Sequence, residues 1–262
     1  MSFEILMATM NRKKIEDIDW AYKNCGDTRV LLINQSDFIG VEESKSVRMI
    51  STTERGSSKS RNMALANVEA EYAIFADDDV AYVPDAEAII ASYFVDYPDA
   101  DIVTFQIATP DGGKFNPGYS NNIYWHNWRT ILKCASIEIA FKTQKIKASG
   151  LALDEKFGLG SKYRVHDEVI FLKDALGAGL KILYVPVPIV IHPAESSGTN
   201  FTRDLIYSKG AAFVRLFGVK GMFFNLLFSV KKYPIYKRQV GFFYFVCNMF
   251  RGSIGFIRED LK

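Results

Sequence analysis

Three consecutive carboxylates, Asp77, Asp78 and Asp79, follow the apolar run YAIFA. Hard divalent cations such as Mg²⁺ and Mn²⁺ prefer carboxylate oxygens, and they neutralise the phosphates of phosphate-rich ligands. Three carboxylates at the end of a buried strand also repel one another, so a cation or hydrogen-bond donors must offset that cost. The alternative is a solvated acidic turn that caps the next helix. The triplet is therefore a candidate metal and phosphate site.

A second acidic pair, Asp167 and Glu168, opens an apolar pattern with helical spacing. A carboxylate held there could act as general base toward a hydroxyl. The alternative is that both acids only place negative charge in the first turn of a helix, which contributes about 0.3–1 kcal/mol. His192, at the end of a later apolar run, is a candidate for contact with metal or phosphate, or else a structural histidine.

A basic segment, ERGSSKSRN, precedes the strand that ends in the aspartates. The backbone amides of Gly56, Ser57 and Ser58 could face phosphate at a helix start, with charge from Lys59, Arg55 or Arg61. The alternative is a capped helix with a solvated basic face. By itself this segment is a weak signal.

The elements that position these residues alternate in the first half of the chain. Strands are predicted over FEILMAT, VLLIN, VRMIST, YAIFA and DIVTFQI, and helices over IEDIDWAYKNC and SRNMALANVEA. Such alternation is typical of parallel strands joined by crossover helices, whose ligands bind beyond the carboxyl ends of the strands. The aspartates lie at such an end.

The second half is less regular. SIEIAFKT indicates a strand, TPDGGKFNPGYSNN and LDEKFGLGSKY indicate loops, and VHDEVIFLKDAL indicates a helix. In KILYVPVPIVIHP, Pro186 and Pro188 favour an edge or irregular strand. Residues beyond about 200 are predicted to form a separate, mainly helical tail.

Composition limits the class of protein. The 262 residues suit one domain of ordinary size, or one domain with a helical tail, and 32 basic against 30 acidic residues give no global field that would attract nucleic acid. Three widely spaced cysteines fit a reducing cytoplasm, and the first residues lack the charge order of a secretory signal. We therefore expect a cytoplasmic location.

The tail between residues 211 and 257 is rich in apolar and aromatic side chains but is interrupted by lysines and arginines. This mixture favours a helix lying on the inner face of the plasma membrane, as a peripheral contact, over a spanning helix. The alternative is a helical pair that packs on the catalytic domain or forms a homodimer.

The ordered succession ATMNRK, LLINQSD, ERGSSKSRNMAL and FADDDV, continued by LDEKFGLGSKYRVHDEVIFLKDALGAGLKILYVPVPIVIHP, resembles family 2 glycosyltransferases of the GT-A fold. The similarity runs from about residue 3 to 193 and is greatest to bacterial enzymes that build surface polysaccharides. It implies an α/β fold: a GT-A (Rossmann-like, nucleotide-diphospho-sugar transferase) mixed sheet flanked by helices over residues 1–198, with a C-terminal helical region over 199–262.

The resemblance implies roles for individual residues. Asp79 would bind Mn²⁺ or Mg²⁺ as the DXD-type ligand with Asp77 and His192, while Asp77 and Asp78 would hold the ribose and the cation or its waters. The remaining donor-binding positions implied by the resemblance are Thr9, Asn11, Arg12, Asn34, Gln35, Asp37, Arg61 and Asn62.

Family members commonly carry Gly-Glu-Asp before the apolar helix, with its aspartate as catalytic base. This chain instead reads His166, Asp167, Glu168, and alignment of the helix places Glu168 at the base position, with Asp167 as the alternative.

The acceptor is expected near Gly158, Leu159 and Gly160, with Asp154 orienting that loop. Trp125 would stack on a sugar, and the segment SSGTN would close over the donor. Trp125, His126 and Trp128 are equally compatible with a core position.

The implied reaction is inverting transfer of a hexosyl or N-acetylhexosaminyl group from a nucleoside-diphosphate sugar, most commonly a UDP-sugar, to a glycan or lipid-linked acceptor. A nucleotidyltransferase is the rival enzyme class, although ATMNRKK lacks the glycines expected after its first strand. A non-enzymatic rival is a degenerate domain that binds nucleotide sugars or glycans without turnover.

Overall fold

The computed structural model describes residues 2–193 and 201–259, with residues 21 and 22 described by their backbone alone. Within these residues the strands are β1 (Phe3–Met10), β2 (Arg29–Gln35), β3 (Gly40–Ser44), β4 (Val47–Thr52), β5 (Tyr72–Asp77), β6 (Ala81–Tyr82), β7 (Ile102–Ala108), β8 (Tyr124–Trp125), β9 (Ile139–Lys142) and β10 (Ile182–Ile191). The helices are α1 (Trp20–Lys23), α2 (Ser57–Asn67), α3 (Ala86–Asp96), α4 (Thr143–Ser149), α5 (Asp167–Gly177), α6 (Arg203–Phe217), α7 (Gly221–Tyr236) and α8 (Phe242–Glu259).

These strands form one sheet in the order β3-β4-β2-β1-β5-β9-β7-β10-β6, with β8 paired to β10. β1 runs parallel to β2 and β5, β4 parallel to β2, and β10 parallel to β7. β9 is antiparallel to both β5 and β7, so those two strands share one direction. The predicted mixed α/β sheet flanked by helices, with a helical tail, is confirmed.

Six parallel strands end at a common edge, which we call the carboxyl edge. Their last residues are Met10, Gln35, Thr52, Asp77, Ala108 and Ile191. The run VLLIN in β2 is buried along its whole length, because helices cover both faces of the sheet. Burial on both faces fixes the register and hence the side chains that emerge at this edge.

Two local predictions were wrong. The helix predicted over IEDIDWAYKNC is a 3₁₀ turn at Ile15–Asp17 followed by the four residues of α1. Oδ2 of Asp17 accepts the backbone amides of Lys13 and Lys14, and Asn24 takes a positive φ of 53° that ends α1. The strand prediction also missed β3, an edge strand that lies in the polar segment after β2 and runs antiparallel to β4.

β10 is irregular, as predicted, but it is not an edge strand. It lies between β7 and β6, and its register with β7 shifts around Pro188. On the other side, β8 pairs with Leu183 and Tyr184, and β6 pairs with Val190 and Ile191. Residues 186–188 have no strand partner there within the described chain, so the two prolines break no ladder on that side.

The helical tail folds back on itself. The stretch Arg203–Tyr236 is long and apolar enough to span a membrane by composition alone. However, Gly218 (φ 61°) and a 3₁₀ turn separate α6 from α7, and the ring of Phe228 lies 5.3 Å from that of Phe213. α6 and α7 therefore form a hairpin of 15- and 16-residue helices, each shorter than the roughly 20 residues of a spanning helix.

Candidate active site

Asp78 is held by residues from β1 and the loop after it. Thr9 Oγ1 donates a hydrogen bond to Oδ2 of Asp78, and Nη2 of Arg12 lies 3.1 Å from the same oxygen. Nε of Arg12 also donates to Thr9 Oγ1 at 3.2 Å, while Lys23 Nζ donates to the backbone oxygen of Asp78. The structure thus brings Thr9, Arg12 and Asp78 together, and Arg12 offsets the repulsion among the three carboxylates.

Asn34 and Gln35, at the end of β2, hold the loops that follow β1 and β4 at the carboxyl edge. The fully buried amide of Asn34 accepts from the backbone nitrogen of Arg12 (3.0 Å) and donates to its carbonyl (2.8 Å) and to Ser51 Oγ (2.9 Å). Oε1 of Gln35 accepts from the backbone nitrogen of Gly56 at 2.8 Å. Both were predicted to bind the donor, but their side chains position two loops.

A solvent-facing rim surrounds the ends of β1 and β2. Arg55 donates to Asp37 Oδ1 (2.6 Å), to the carbonyl of Gln35 (2.7 Å) and to Asn11 Oδ1 (3.3 Å). Asn11 takes a positive φ of 58°, and the Asp37 side chain is almost fully exposed. Asn11 and Asp37 therefore lie where a ligand could reach them from solvent.

Asp79 faces His192 across the carboxyl edge. Nε2 of His192 lies 3.4 Å from Oδ2 of Asp79, and its Nδ1 donates to the carbonyl of Pro193 at 2.6 Å. Phe115 packs edge-on against the imidazole, with the ring centroids 5.5 Å apart. The side chain of Asp79 is 65% exposed, so it remains open to a ligand.

Within the described residues no group of three His, Cys, Asp or Glu side chains is arranged to hold a metal ion. Asp77, predicted as a third ligand, directs its carboxylate to Arg61 instead. Asp79 and His192 remain as a pair of protein ligands. Because Mg²⁺ is usually held by one or two carboxylates together with substrate phosphates and water, this donor set fits a cation shared with a bound diphosphate.

Arg61 is the buried link between two parts of the site. Its Nη2 donates to Asp77 Oδ1 and to Ser136 Oγ, both at 2.9 Å, and its Nη1 donates to Asp167 Oδ2 at 2.6 Å. Burial disfavours the charged guanidinium, but the carboxylates of Asp77 and Asp167 stabilise it more strongly, so the pKa of Arg61 is raised. This residue was predicted to fix the nucleotide, yet it joins the aspartate triplet to the acidic pair.

Asn62 is turned away from the carboxyl edge. Its amide exchanges two hydrogen bonds with the backbone of Leu153 (2.7 and 3.0 Å) and donates to Glu155 Oε1 at 3.0 Å. One residue along a helix is a rotation of about 100°, so Asn62 cannot share the direction of Arg61. The Asn62 side chain, predicted to bind the donor, therefore faces the loop after α4 rather than the partners of Arg61.

The two acids at the start of α5 have opposite electrostatics. Burial opposes the ionisation of Asp167, but Arg61 overcomes it and the pKa of Asp167 is lowered. Burial and the neighbouring Asp167 charge raise the pKa of Glu168 well above its usual range. Asp167 is thus committed to Arg61, whereas Glu168, with a side chain 20% exposed, is the better placed proton acceptor.

His166 occupies the position where the resemblance expects glycine, and its backbone explains that expectation. Its φ of 68° and ψ of 21° are left-handed, a conformation that favours glycine. The imidazole stacks on Phe213 of α6 with the centroids 6.5 Å apart, and its Nδ1 lies 4.0 Å from Glu168 Oε1. Burial lowers the pKa of His166 to about 3, so the ring is neutral beside Glu168.

The glycine loop lies directly against the acidic pair. Gly158 (φ 102°) is so close that a Cβ there would lie 2.3 Å from Ser57 Oγ and 3.0 Å from Asp167 Cγ. A Cβ on Gly160 (φ 80°) would lie 3.0 Å from Gly56 Cα. Leu159 between them is 57% exposed. The predicted acceptor loop therefore borders the candidate base, and Asp154 anchors it by accepting from Arg215 Nε at 2.8 Å.

Two of the three backbone amides predicted to face phosphate, those of Gly56 and Ser57, already have acceptors within the protein. Gly56 donates to Gln35, and Ser57 donates to the carbonyl of Leu159 at 2.8 Å. The hydroxyl of Ser57 points to Asp167 Oδ2 at 3.3 Å. The start of α2 therefore binds the glycine loop and the acidic pair, which corrects the phosphate hypothesis.

Trp125 lies at the opposite edge of the sheet. It pairs with Leu183 near the start of β10, whereas His192 follows the end of that strand. Eight residues of extended chain span roughly 25 Å, which excludes Trp125 from the site. His126 is buried between Thr104 and Thr130, and Trp128 packs against Phe217. The segment SSGTN lies outside the described residues.

Two contributors were not predicted: Ser136, which accepts from Arg61, and Lys23, which donates to Asp78. No sequence signal indicates either one. Ser136 enters because β9 inserts between β5 and β7, and Lys23 because α1 is short.

Residues 34–149 match the family model described as glycosyl transferase family 2. This range contains the aspartate triplet and Arg61. No curated protein matches the chain by sequence. The resemblance predicted from the sequence is confirmed.

The solved structures with a similar fold include S. aureus TarS 1–349 and its complex with UDP-GlcNAc. The first is 14% identical, with a TM-score of 0.61, covering 92% of this chain and 76% of that one. The second is 13% identical, with a TM-score of 0.65, covering 95% and 79%. Against the longer S. aureus TarS structure the identity is 12%, the TM-score is 0.59, and the coverage is 92% of this chain and 46% of that one. At these identities the likeness establishes the fold.

Proposed function

We propose that this chain, which has a GT-A-type fold and matches the glycosyl transferase family 2 model over residues 34–149, transfers a hexosyl or N-acetylhexosaminyl group, with inversion, from a UDP-sugar to an acceptor hydroxyl. The observation that carries this proposal is the Arg61 bridge. One buried guanidinium contacts Asp77, beside the candidate donor carboxylates, and Asp167, beside the candidate base. Donor and acceptor chemistry would thus meet at one edge of the sheet.

The donor would lie on the ends of β1, β2 and β5. Thr9, Arg12 and Asp78 form a fixed polar wall, and Asn11 and Asp37 line the rim above it. A uridine donor is supported by the similarly folded TarS fragment, which was solved with UDP and with UDP-GlcNAc. The identities of the transferred sugar and of the acceptor are parts of the proposed function.

A divalent cation, Mn²⁺ or Mg²⁺, would be held by Asp79 and His192 together with the diphosphate. When bound it supplies positive charge against the leaving diphosphate. Asp79 is exposed for such contact, and the hydrogen bond from Nδ1 of His192 to Pro193 directs the other ring nitrogen toward Asp79.

Glu168 would act as the general base. Its carboxylate takes the proton of the acceptor hydroxyl while that oxygen forms a bond to the anomeric carbon, on the face opposite the nucleoside diphosphate. The bond from the anomeric carbon to the phosphate oxygen breaks, and its electron pair leaves with the diphosphate. A raised pKa makes Glu168 a stronger base than an ordinary glutamate once it is ionised.

The acceptor would approach over the loop of Gly158, Leu159 and Gly160, and we propose a glycan or a lipid-linked glycan of bacterial surface polysaccharide synthesis. Within this proposal, residues 1–198 form the catalytic domain. Residues 199–262 form a helical region that contacts the inner face of the plasma membrane or, alternatively, a second copy.

A thermal-shift and product-release assay against UDP-, GDP- and dTDP-sugars, with and without Mn²⁺, tests the proposal. We expect one donor to stabilise the chain in a metal-dependent way and to be slowly hydrolysed. Stabilisation should be lost in Asp79→Ala and hydrolysis in Glu168→Gln, while Asp96→Ala on the exposed end of α3 should match wild type.

Two results would contradict the proposal. Pyrophosphate released from a nucleoside triphosphate would indicate a nucleotidyltransferase. Donor binding without any turnover, whatever the metal, would indicate a binding protein.

A further inference from the structure

The helical tail has a one-sided charge. Between residues 205 and 258 the sequence contains nine lysines and arginines and no aspartate or glutamate, although the net charge of the whole chain is only +2. Arg215 is neutralised by Asp154 and Asp174, and Lys209 is buried. The remaining seven lie at Lys220, Lys231, Lys232, Lys237, Arg238, Arg251 and Arg258.

α7 buries polar side chains and exposes large apolar ones, which is the reverse of an amphipathic helix that packs on the core of a water-soluble protein. Its packed face carries Asn225 and Ser229, both fully buried, and Asn225 Nδ2 donates to Ser253 Oγ at 2.6 Å. Its outer face carries large apolar side chains at helical spacing: Phe223 (63% exposed), Leu226, Leu227, Val230 (59%) and Tyr233. We call these five residues the α7 apolar face.

The neighbouring helix extends this surface. Phe243, near the start of α8, is 81% exposed, and Tyr244 beside it is half exposed. Contiguous exposed apolar surface of this kind is rare on monomeric soluble proteins and marks contact with a membrane or another protein. Small and polar residues inside the helical bundle are also typical of helices that pack within or against lipid.

The cationic end of α7 is connected to the acidic pair through α6 and the residues just before it. Tyr236 at this end packs against Phe201, and Gln239 Oε1 accepts from the backbone nitrogen of Phe201 at 2.8 Å. Phe201 directly precedes α6, whose Ser208 accepts from the backbone nitrogen of Arg164, two residues before His166. Lys209 of α6 links α7 and the acidic pair more directly, because its Nζ lies 5.9 Å from the Phe228 ring of α7 and its charge interacts with both Glu168 and Lys232.

We propose that the α7 apolar face, with Phe243 and the lysines at the end of α7, seats on the headgroup region of an anionic bilayer and so presents the acidic pair to a lipid-linked acceptor. Charge decides between the two occupants that could cover this face. A second copy would bring two sets of uncompensated cations together, whereas anionic lipids attract them. Lysines beside large apolar side chains on a short helix are typical of interfacial binding.

Only the statement about the acceptor depends on the proposed function; the surface itself is tested separately. The purified full chain is floated with vesicles of phosphatidylcholine, or of phosphatidylcholine and phosphatidylglycerol in equal parts, at low salt and at 0.5 M NaCl. We expect flotation with the anionic vesicles only, reduced by salt. The double variants Phe223→Ser/Val230→Ser and Lys231→Glu/Lys232→Glu should each weaken partitioning at least about tenfold.

The control is Ile39→Ser/Val41→Ser, which removes two equally exposed apolar side chains at the far edge of the sheet and should float like wild type. Circular dichroism melts confirm that each variant is folded. Equal flotation with both vesicle types, flotation with neither, or a solution dimer that Phe223→Ser/Val230→Ser separates would overturn the inference.

Hydrolysis of a soluble UDP-sugar is measured on the same samples and should be unchanged in the α7 variants. Donor turnover without vesicle binding contradicts the proposed membrane contact and leaves the proposed function in place. Vesicle binding without donor turnover refutes the proposed function and leaves the surface in place.

Discussion

Nη1 of Arg61 lies 2.6 Å from Oδ2 of Asp167, and both side chains are more than nine-tenths buried. The two residues are 106 positions apart in the chain, and this pair joins the start of α2 to the start of α5. Because the same guanidinium also holds Asp77, the arrangement of the donor carboxylates depends on that of the acidic pair.

Replacing Arg61 with glutamine should destabilise the fold by about 3–5 kcal/mol, because it leaves buried Asp167 without its counter-charge. Urea unfolding measures the loss. Lys181→Gln is the matched control, since both side chains of its pair with Asp99 are more than half exposed and the pair should contribute little. Equal losses of unfolding free energy in the two variants would show that the buried Arg61–Asp167 pair stabilises the fold no more than an exposed pair does.

Glu168→Gln should raise stability at neutral and alkaline pH. The folded-state pKa of Glu168 is raised, so the stabilisation from its bound proton is complete below the ordinary glutamate pKa and is lost as pH rises through the folded value. The melting temperature of Glu168→Gln should therefore exceed that of wild type at pH 8 and approach it at pH 4.

Asp167→Asn serves as the opposite case, because the pKa of Asp167 is lowered and its stabilisation is present above the ordinary aspartate pKa. This variant should melt below wild type at pH 8. A shift of both variants in the same direction would contradict the assignment of the two acids.

Transfer activity should have an acidic limb displaced to higher pH than an ordinary glutamate would give. Glu168 must be ionised to accept a proton, and burial together with Asp167 raises its pKa. We expect kcat/KM, followed by UDP release between pH 4 and 9, to rise with a midpoint clearly above the ordinary glutamate pKa. A profile that is already flat at pH 5 would assign proton transfer to another group.

Substitutions of His166 should follow backbone preference. Its left-handed φ costs a non-glycine residue about 1–2 kcal/mol, and a β-branched residue more. His166→Gly should therefore lie within about 1 kcal/mol of wild type in urea, since relieved strain offsets the lost stacking on Phe213. His166→Val should be clearly less stable than His166→Gly, and the reverse order would disprove the left-handed assignment.

Gly158→Ala should impair both folding and activity. The added methyl would overlap Ser57 Oγ and press on Asp167, at about 1–3 kcal/mol, in addition to strain at φ 102°. Gly26→Ala has a positive φ of 55° but open space around the new methyl, so it isolates the strain. UDP release should fall in Gly158→Ala and stay at the wild-type level in Gly26→Ala.

Much of the fold followed from local patterns. Runs such as VLLIN and YAIFA predict buried strands because their apolar side chains face helices on both sides, and the triplet that begins at Asp77 was therefore expected at the carboxyl edge. The helix after His166 followed from spacing alone. These features depend only on near neighbours in the chain.

Partners and distances were decided by the tertiary structure. Arg61 and Asn62 are adjacent in sequence but serve different sites, because one helical position turns the side chain by about 100°. Trp125 was expected near the acceptor, but antiparallel pairing of β8 with the start of β10 carries it to the opposite edge. The sequence alone determined which elements form and which polar residues end the strands. Sheet order, register and helix rotation decided which of them meet, because these depend on contacts between residues far apart in the chain.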